Sequence, residues 1–133
     1  MEQVLEIARL NLADDEPVGR NSAWVPAPLA ADISLADIEQ HSLHDLLPVQ
    51  LARATQVITA VGATAEDASL LRVQTNSPLL RCERTTYDSM GTAVLVSEAL
   101  YNPLRTEFIV ELPKATPETT GLRLVNEGRS ATT

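Results

Sequence analysis

Residues 85–108 read TTYDSMGTAVLVSEALYNPLRTEF, and the punctuation of this stretch decides the fold. The sequence DSMG, Asp88 to Gly91, is a tight turn between two apolar, β-prone runs, Leu79–Tyr87 and Thr92–Tyr101. A second turn at Asn102–Leu104 leads into a last expected strand, Arg105–Leu112. Strands joined by connections this short pair antiparallel. No residue pattern here is catalytic. Yet Tyr101, Asn102, Pro103 and Arg105 form a polar cluster where a hairpin needs only a turn.

Upstream, Gln3–Leu12 opens on an apolar run and alternates from Ala8. The turn ADDEP and the strand Val18–Val25 complete a β-hairpin. If Ala13 pairs with Pro17 across a three-residue loop, Arg9 lies opposite Asn21 and Asn11 opposite Gly19. Directly paired side chains point to the same face, so Arg9, Asn11 and Asn21 share one patch.

Pro26 and Pro28 break the chain, and two short helices follow with the same start signal. Ser34 precedes LAD and Ser42 precedes LHD. Each Ser hydroxyl is placed to accept the N–H three residues on, beside an Asp that suits the positive helix end. Leu51–Val61 alternates cleanly and reads as a long central or near-central strand. A helix over 65–72 is capped by Thr64. The order β-β-α-α-β-α-β-β-β predicts an α+β fold: a mostly antiparallel sheet of five or six strands with short helices covering one face. Residues 1–112 form the domain, and 113–133 read as a flexible tail, with LRLV at 122–125 as an adventitious strand.

At 133 residues and 44% hydrophobic, the chain supports one core without staples. A net charge of −8 repels a phosphate backbone, and no basic stripe is interleaved with aromatics. Cys82 is the only cysteine, which excludes an intrachain disulfide and a thiolate metal cluster. The absence of a long apolar run and of a basic leader points to the cytoplasm, with no membrane partner.

Four segments in order then carry a resemblance: IARLNLADDEPVGRNSAWVP, SLHDLL, NSPLLRCERTTYDSMGTAV and YNPLRTEF. Together they resemble the UTRA domain, the effector-binding half of GntR-type transcriptional regulators of the HutC subfamily, whose fold is similar to chorismate lyase. The resemblance runs from about Val4 to Leu112. It implies a chain truncated at its N-terminus, a small-molecule metabolite as partner, a homodimer, and DNA contact only through an absent winged helix-turn-helix domain. It implies no enzymatic activity and no cofactor. Carried over position by position, it assigns effector binding to Arg9, Asn11, Asn21, Ser42, His44 and Tyr101. Phosphosugar-binding members carry a second Arg on the first strand, a Glu on the second and an acid early in the penultimate strand; here those positions read Asn11, Asn21 and Leu95. The departures predict a less charged pocket and a small neutral or singly anionic ligand.

Competing readings stand beside these. Arg9, Asn11 and Asn21 suit either a pocket mouth or the solvated end of a hairpin. His41, His44 and Asp45 lie on one turn, but the spacing is loose and no further His follows, so no metal site is assigned. Arg84 is expected to pair across the strands with Glu98, Tyr87 to pack, Arg105 to anchor the turn, and Cys82 to fill core. A chorismate-lyase-like enzyme would need firmly placed cations and an acid, which these candidates do not supply. A domain that only dimerises is the remaining alternative.

Overall fold

The computed structural model describes residues 3–112 and 114, so the expected tail falls almost wholly outside the described residues. Five strands form one antiparallel sheet: β1 (Val4–Ala13), β2 (Glu16–Pro26), β3 (Leu51–Gly62), β4 (Pro78–Asp88) and β5 (Ala93–Tyr101), in the order β1-β2-β5-β4-β3. The helices are α1 (Leu35–Gln40), α2 (Leu43–Leu46) and α3 (Ala65–Leu71), with a 3-10 turn at Ala27–Ala30. No helix among the described residues is long and apolar enough to cross a membrane.

The first hairpin reaches the expected register by a different turn. Asp14 and Asp15 both take positive φ, 52° and 64°, so Ala13 pairs with Glu16 across two residues. Such a turn matches the twist of the flanking strands. A bulge beside Asn11 and Leu12 absorbs the extra residue, so Arg9 still faces Asn21 and Asn11 faces Gly19. The turn between β4 and β5 is held by Asp88, whose Oδ1 accepts the N–H groups of Met90 and Thr92, both at 2.9 Å. Gly91 supplies the left-handed φ of 83° there.

Three expectations are corrected. The strand β3 is an edge strand rather than a central one. Its alternation reports pleating and not position, and an edge tolerates its largely exposed Arg53, Thr55 and Gln56. Residues 105–112 form no strand, leaving five in the sheet among the described residues, and the expected strand at 122–125 lies outside them. Asn102 turns the chain instead: its side-chain Oδ1 accepts the Leu104 N–H at 3.0 Å, and its carbonyl accepts from the Thr106 hydroxyl and the Arg105 N–H. Finally, the helices divide between the two faces.

That division creates two cores. Residues 27–50 cross from β2 to the far edge, laying the 3-10 turn, α1 and α2 over one face. There Leu43 and Leu47 pack on Ala23, Val25 and Leu95. On the other face, Ala68 and Leu71 of α3 pack on Leu79 and Leu100. Full burial of a Leu side chain contributes about 1.5–3 kcal/mol, so these few contacts anchor α3.

Ion pairs tie α3 to the sheet. The Arg20 guanidinium donates to Asp67 at 2.6 Å and 3.2 Å and reaches Glu98 at 3.3 Å; Arg81 joins Glu98 and Glu83, each at 2.8 Å. Hydrogen bonds from Arg20 hold the Asp67 carboxyl below the ordinary carboxylate range, against an opposing push from burial. A carboxylate whose folded pKa is depressed stabilises the protein above its unfolded value, about 3.9. That stabilisation is lost as pH falls through the lowered folded value. Asp67→Asn is therefore expected to reduce stability at neutral pH by about 1–3 kcal/mol. The wild-type and variant urea curves should converge on acidification below about pH 4. A difference that persists unchanged at low pH would point to packing rather than charge.

Candidate functional site

The helix-crossed face of the sheet is a grid whose rows follow from the strand registers. One row runs Ile7, Ala23, Ser97, Arg84, Gln56, the next Arg9, Asn21, Ala99, Cys82, and the third Asn11, Gly19, Tyr101. The central strands β2 and β5 contribute the small residues Gly19, Ala23, Ser97 and Ala99 beside Asn21 and Tyr101, while longer polar side chains stand on β1, β3 and β4. Small residues beneath a crossing segment leave a hollow, and an open cavity of about 270 Å³ lies there. Ser42, Leu43 and His44 at the start of α2 line it from the crossing segment, and Phe108 lines it as well.

Gly19 has a specific packing role. A Cβ at this position would stand 2.6 Å from the Tyr101 ring and 2.9 Å from the Leu100 carbonyl oxygen. The ring thus lies across β2 where any side chain would displace it. Phe108 meets Tyr101 edge-on, with centroids 5.4 Å apart and planes at 85°, a favoured aromatic geometry. Although residues 105–112 leave the sheet, they deliver a wall of the cavity.

All six residues singled out from the sequence line this one cavity: Arg9, Asn11, Asn21, Ser42, His44 and Tyr101. Asn11, Asn21 and Tyr101 are half-buried, whereas Arg9, Ser42 and His44 stand at the exposed rim. Arg9 Nη2 donates to the Ile38 carbonyl at 2.7 Å, linking β1 to α1. Ser42 caps α2, but by accepting the His44 N–H at 3.2 Å rather than that of Asp45, because α2 is a single turn. Ser34, by contrast, makes the full reciprocal box with Asp37.

Sequence reasoning missed Gln56, Cys82, Arg84, Ser97 and Phe108 as lining residues. The expected Arg84–Glu98 pair does not form. Arg84 lies opposite Ser97, and its Nε and Nη2 both donate to Gln56 Oε1, at 2.9 Å and 2.7 Å. Glu98 points to the opposite face, where Arg20 and Arg81 take it. Alternation along β5 dictates this separation. Tyr87 receives the Arg53 guanidinium 4.0 Å above its ring. Cys82 is buried, as expected of a core residue, but forms part of the cavity floor.

Among the described residues no carboxylate lines the cavity, although the whole chain carries 18 acidic residues. Burial pushes up both the Cys82 thiol and the Tyr101 phenol, with the nearby Arg84 charge opposing it at each. Both groups therefore stay protonated at neutral pH. The expectation of a weakly charged pocket counted one arginine; among the described residues two line the cavity, Arg9 and Arg84. The arrangement offers neutral hydrogen-bonding groups over the floor and cations at two rims, which suits holding a polar, anionic small molecule.

Comparison with known proteins agrees with this architecture. The family described as the UTRA domain matches residues 1–107. The HTH-type transcriptional repressor NagR of Bacillus subtilis is 32% identical over 108 residues, covering 78% of this chain and 44% of that protein. An HTH-type transcriptional regulator of Mycobacterium tuberculosis is 30% identical over 122 residues, covering 86% of this chain and 45% of the relative. The chain thus spans less than half the length of these curated relatives. A solved GntR-family transcriptional regulator from Enterococcus faecalis superposes with a TM-score of 0.76 at 25% identity, covering 82% of this chain and 81% of that one.

Proposed function

The chain belongs to the UTRA domain family, and from that premise we propose that it is the metabolite-sensing part of a cytoplasmic GntR regulator of the HutC subfamily. In this reading the domain works as a homodimer and does no chemistry. A small molecule enters the cavity between the sheet and the crossing segment, contacting Arg9, Asn11, Asn21, Ser42, His44 and Tyr101. DNA is contacted by a winged helix-turn-helix domain outside these 133 residues, a role suggested by the names and greater lengths of the curated relatives.

The observation that carries the reading is the convergence of those six residues on one open hollow that no carboxylate among the described residues lines. Three come from the first hairpin, two from a helix start and one from the last strand. A scaffold that only dimerised would need no such hollow. Sensing requires a ligand that binds one arrangement better than another, with a coupling of about 1–3 kcal/mol. Arg9 is placed for this, since it bonds the α1 carbonyl of Ile38 while lining the cavity. A ligand oxyanion competing for that guanidinium would bias where α1 sits.

Thermal-shift screening of sugars, sugar phosphates, amino acids and carboxylates tests the proposal. At least one class is expected to raise the melting temperature in proportion to the logarithm of its concentration. If none does while the protein is folded, the dimerisation-only reading takes its place.

A further inference from the structure

Arg84 is the residue that the cavity leaves chemically unexplained. The described residues include seven arginines. Four reach a carboxylate: Arg20, Arg72, Arg81 and Arg105. Arg53 lies on the Tyr87 ring. Arg9 and Arg84 alone among the described arginines have neither kind of partner, and both line the cavity. Each is held instead by a neutral oxygen, Ile38 O for Arg9 and Gln56 Oε1 for Arg84. A neutral acceptor orients a guanidinium without cancelling its charge, and a guanidinium left uncompensated is a site for an oxyanion.

The two cations are not neighbours. Arg9 is on β1 and Arg84 on β4, three strand spacings apart in the order β1-β2-β5-β4. At about 4.8 Å per spacing, and with Arg84 two residues (about 6.6 Å) along the strands from the row of Arg9, their backbones stand roughly 16 Å apart, with the small-residue floor between. One compact anion does not satisfy both, but an elongated molecule charged at each end does. We propose that the ligand is an elongated dianion, of the dicarboxylate class, with one acidic group on Arg9 and the other on Arg84, and that Gln56 is the positioning residue for Arg84. This deepens the sensor reading and rests on it. Arg84 thereby sets specificity between two-ended and one-ended anions. Its charge reaches the floor, where it acts on Cys82 and Tyr101.

The test uses the intact chain, with melting temperature and calorimetry read against succinate, glutarate and adipate. Butyrate serves as a one-ended anion and inorganic phosphate as a compact one. At least one dicarboxylate is expected to bind at least tenfold more tightly than butyrate or phosphate. Arg84→Gln should reduce it to the butyrate level. Gln56→Glu should do the same by giving Arg84 a carboxylate of its own, while Gln56→Met, which removes the orienting oxygen and adds no charge, gives a smaller loss. Arg84 and Gln56 are both exposed, so these variants remain folded. Equal binding of dicarboxylate and butyrate, no binding of any dicarboxylate, or a dicarboxylate indifferent to Arg84→Gln overturns the inference. If a sugar or a one-ended acid binds in the broad screen while Arg84 is dispensable, sensing stands and only the two-ended ligand falls. If no class binds, both fall.

Discussion

Leucine in place of Ala99 is expected to abolish metabolite binding, a loss of at least about 100-fold or about 2.7 kcal/mol, with the fold intact. Ala99 sits in the middle of the cavity floor, between Asn21 on β2 and Cys82 on β4, and its side chain lines the hollow. Three added carbons there project into empty space rather than into packed core. The usual penalty for enlarging a buried residue, about 1–3 kcal/mol, arises from crowding against neighbours. Here that cost is small, and covering the Ala23 methyl and other apolar parts of the lining offsets part of it. The ligand has no such latitude, because it would have to occupy the same volume. Isothermal calorimetry with the screened metabolite measures the affinity, and urea denaturation measures the stability. Full binding by a folded Ala99→Leu protein would place the ligand elsewhere and end the cavity's claim to be the site.

How far the site was legible follows from the same grid. Arg9 and Asn21 could be placed opposite each other from sequence because one turn separates their strands and alternation does the rest. That register holds although the turn has two residues rather than three, because the bulge beside Asn11 restores it. Arg84 was not legible in that way. Its location depends on pairing with β5 and β3 together, and Glu98 offered an obvious partner on paper that lies on the opposite face. Phe108 was hidden for another reason. The apolar run after Pro103 has the composition of a strand, but the hydrogen bonds around Asn102 divert the chain, so the ring arrives by a turn rather than by pairing. The edge position of β3 was likewise unreadable, because a period of two reports the pleat and is silent about neighbours. Tyr101 and the α2 start were reached through the family resemblance, not through periodicity.

The two-faced core gives the second large effect. Leu71→Ala is expected to destabilise the protein by about 3 kcal/mol, lowering the melting temperature by roughly 10 °C or more, while ligand affinity stays within about twofold once the protein is folded. Leu71 is 2% exposed and packs with Ala63, Ala68, Leu79 and Leu100 beneath α3. Leu100 stands between the α3 core and the cavity strand positions. Its own side chain belongs to the α3 core, whereas its neighbours Ala99 and Tyr101 line the cavity. Strand alternation therefore puts a full sheet thickness between the lost methyl groups and the ligand. Denaturant unfolding followed by calorimetry at a temperature where both proteins are folded separates the two quantities. Ala99→Leu and Leu71→Ala should then form a crossed pair, one losing binding with stability kept and the other losing stability with binding kept. A tenfold or larger drop in affinity for folded Leu71→Ala would mean that the sheet transmits strain from α3 to the cavity. The α3 face would then have to be counted as part of the sensing apparatus rather than as its support.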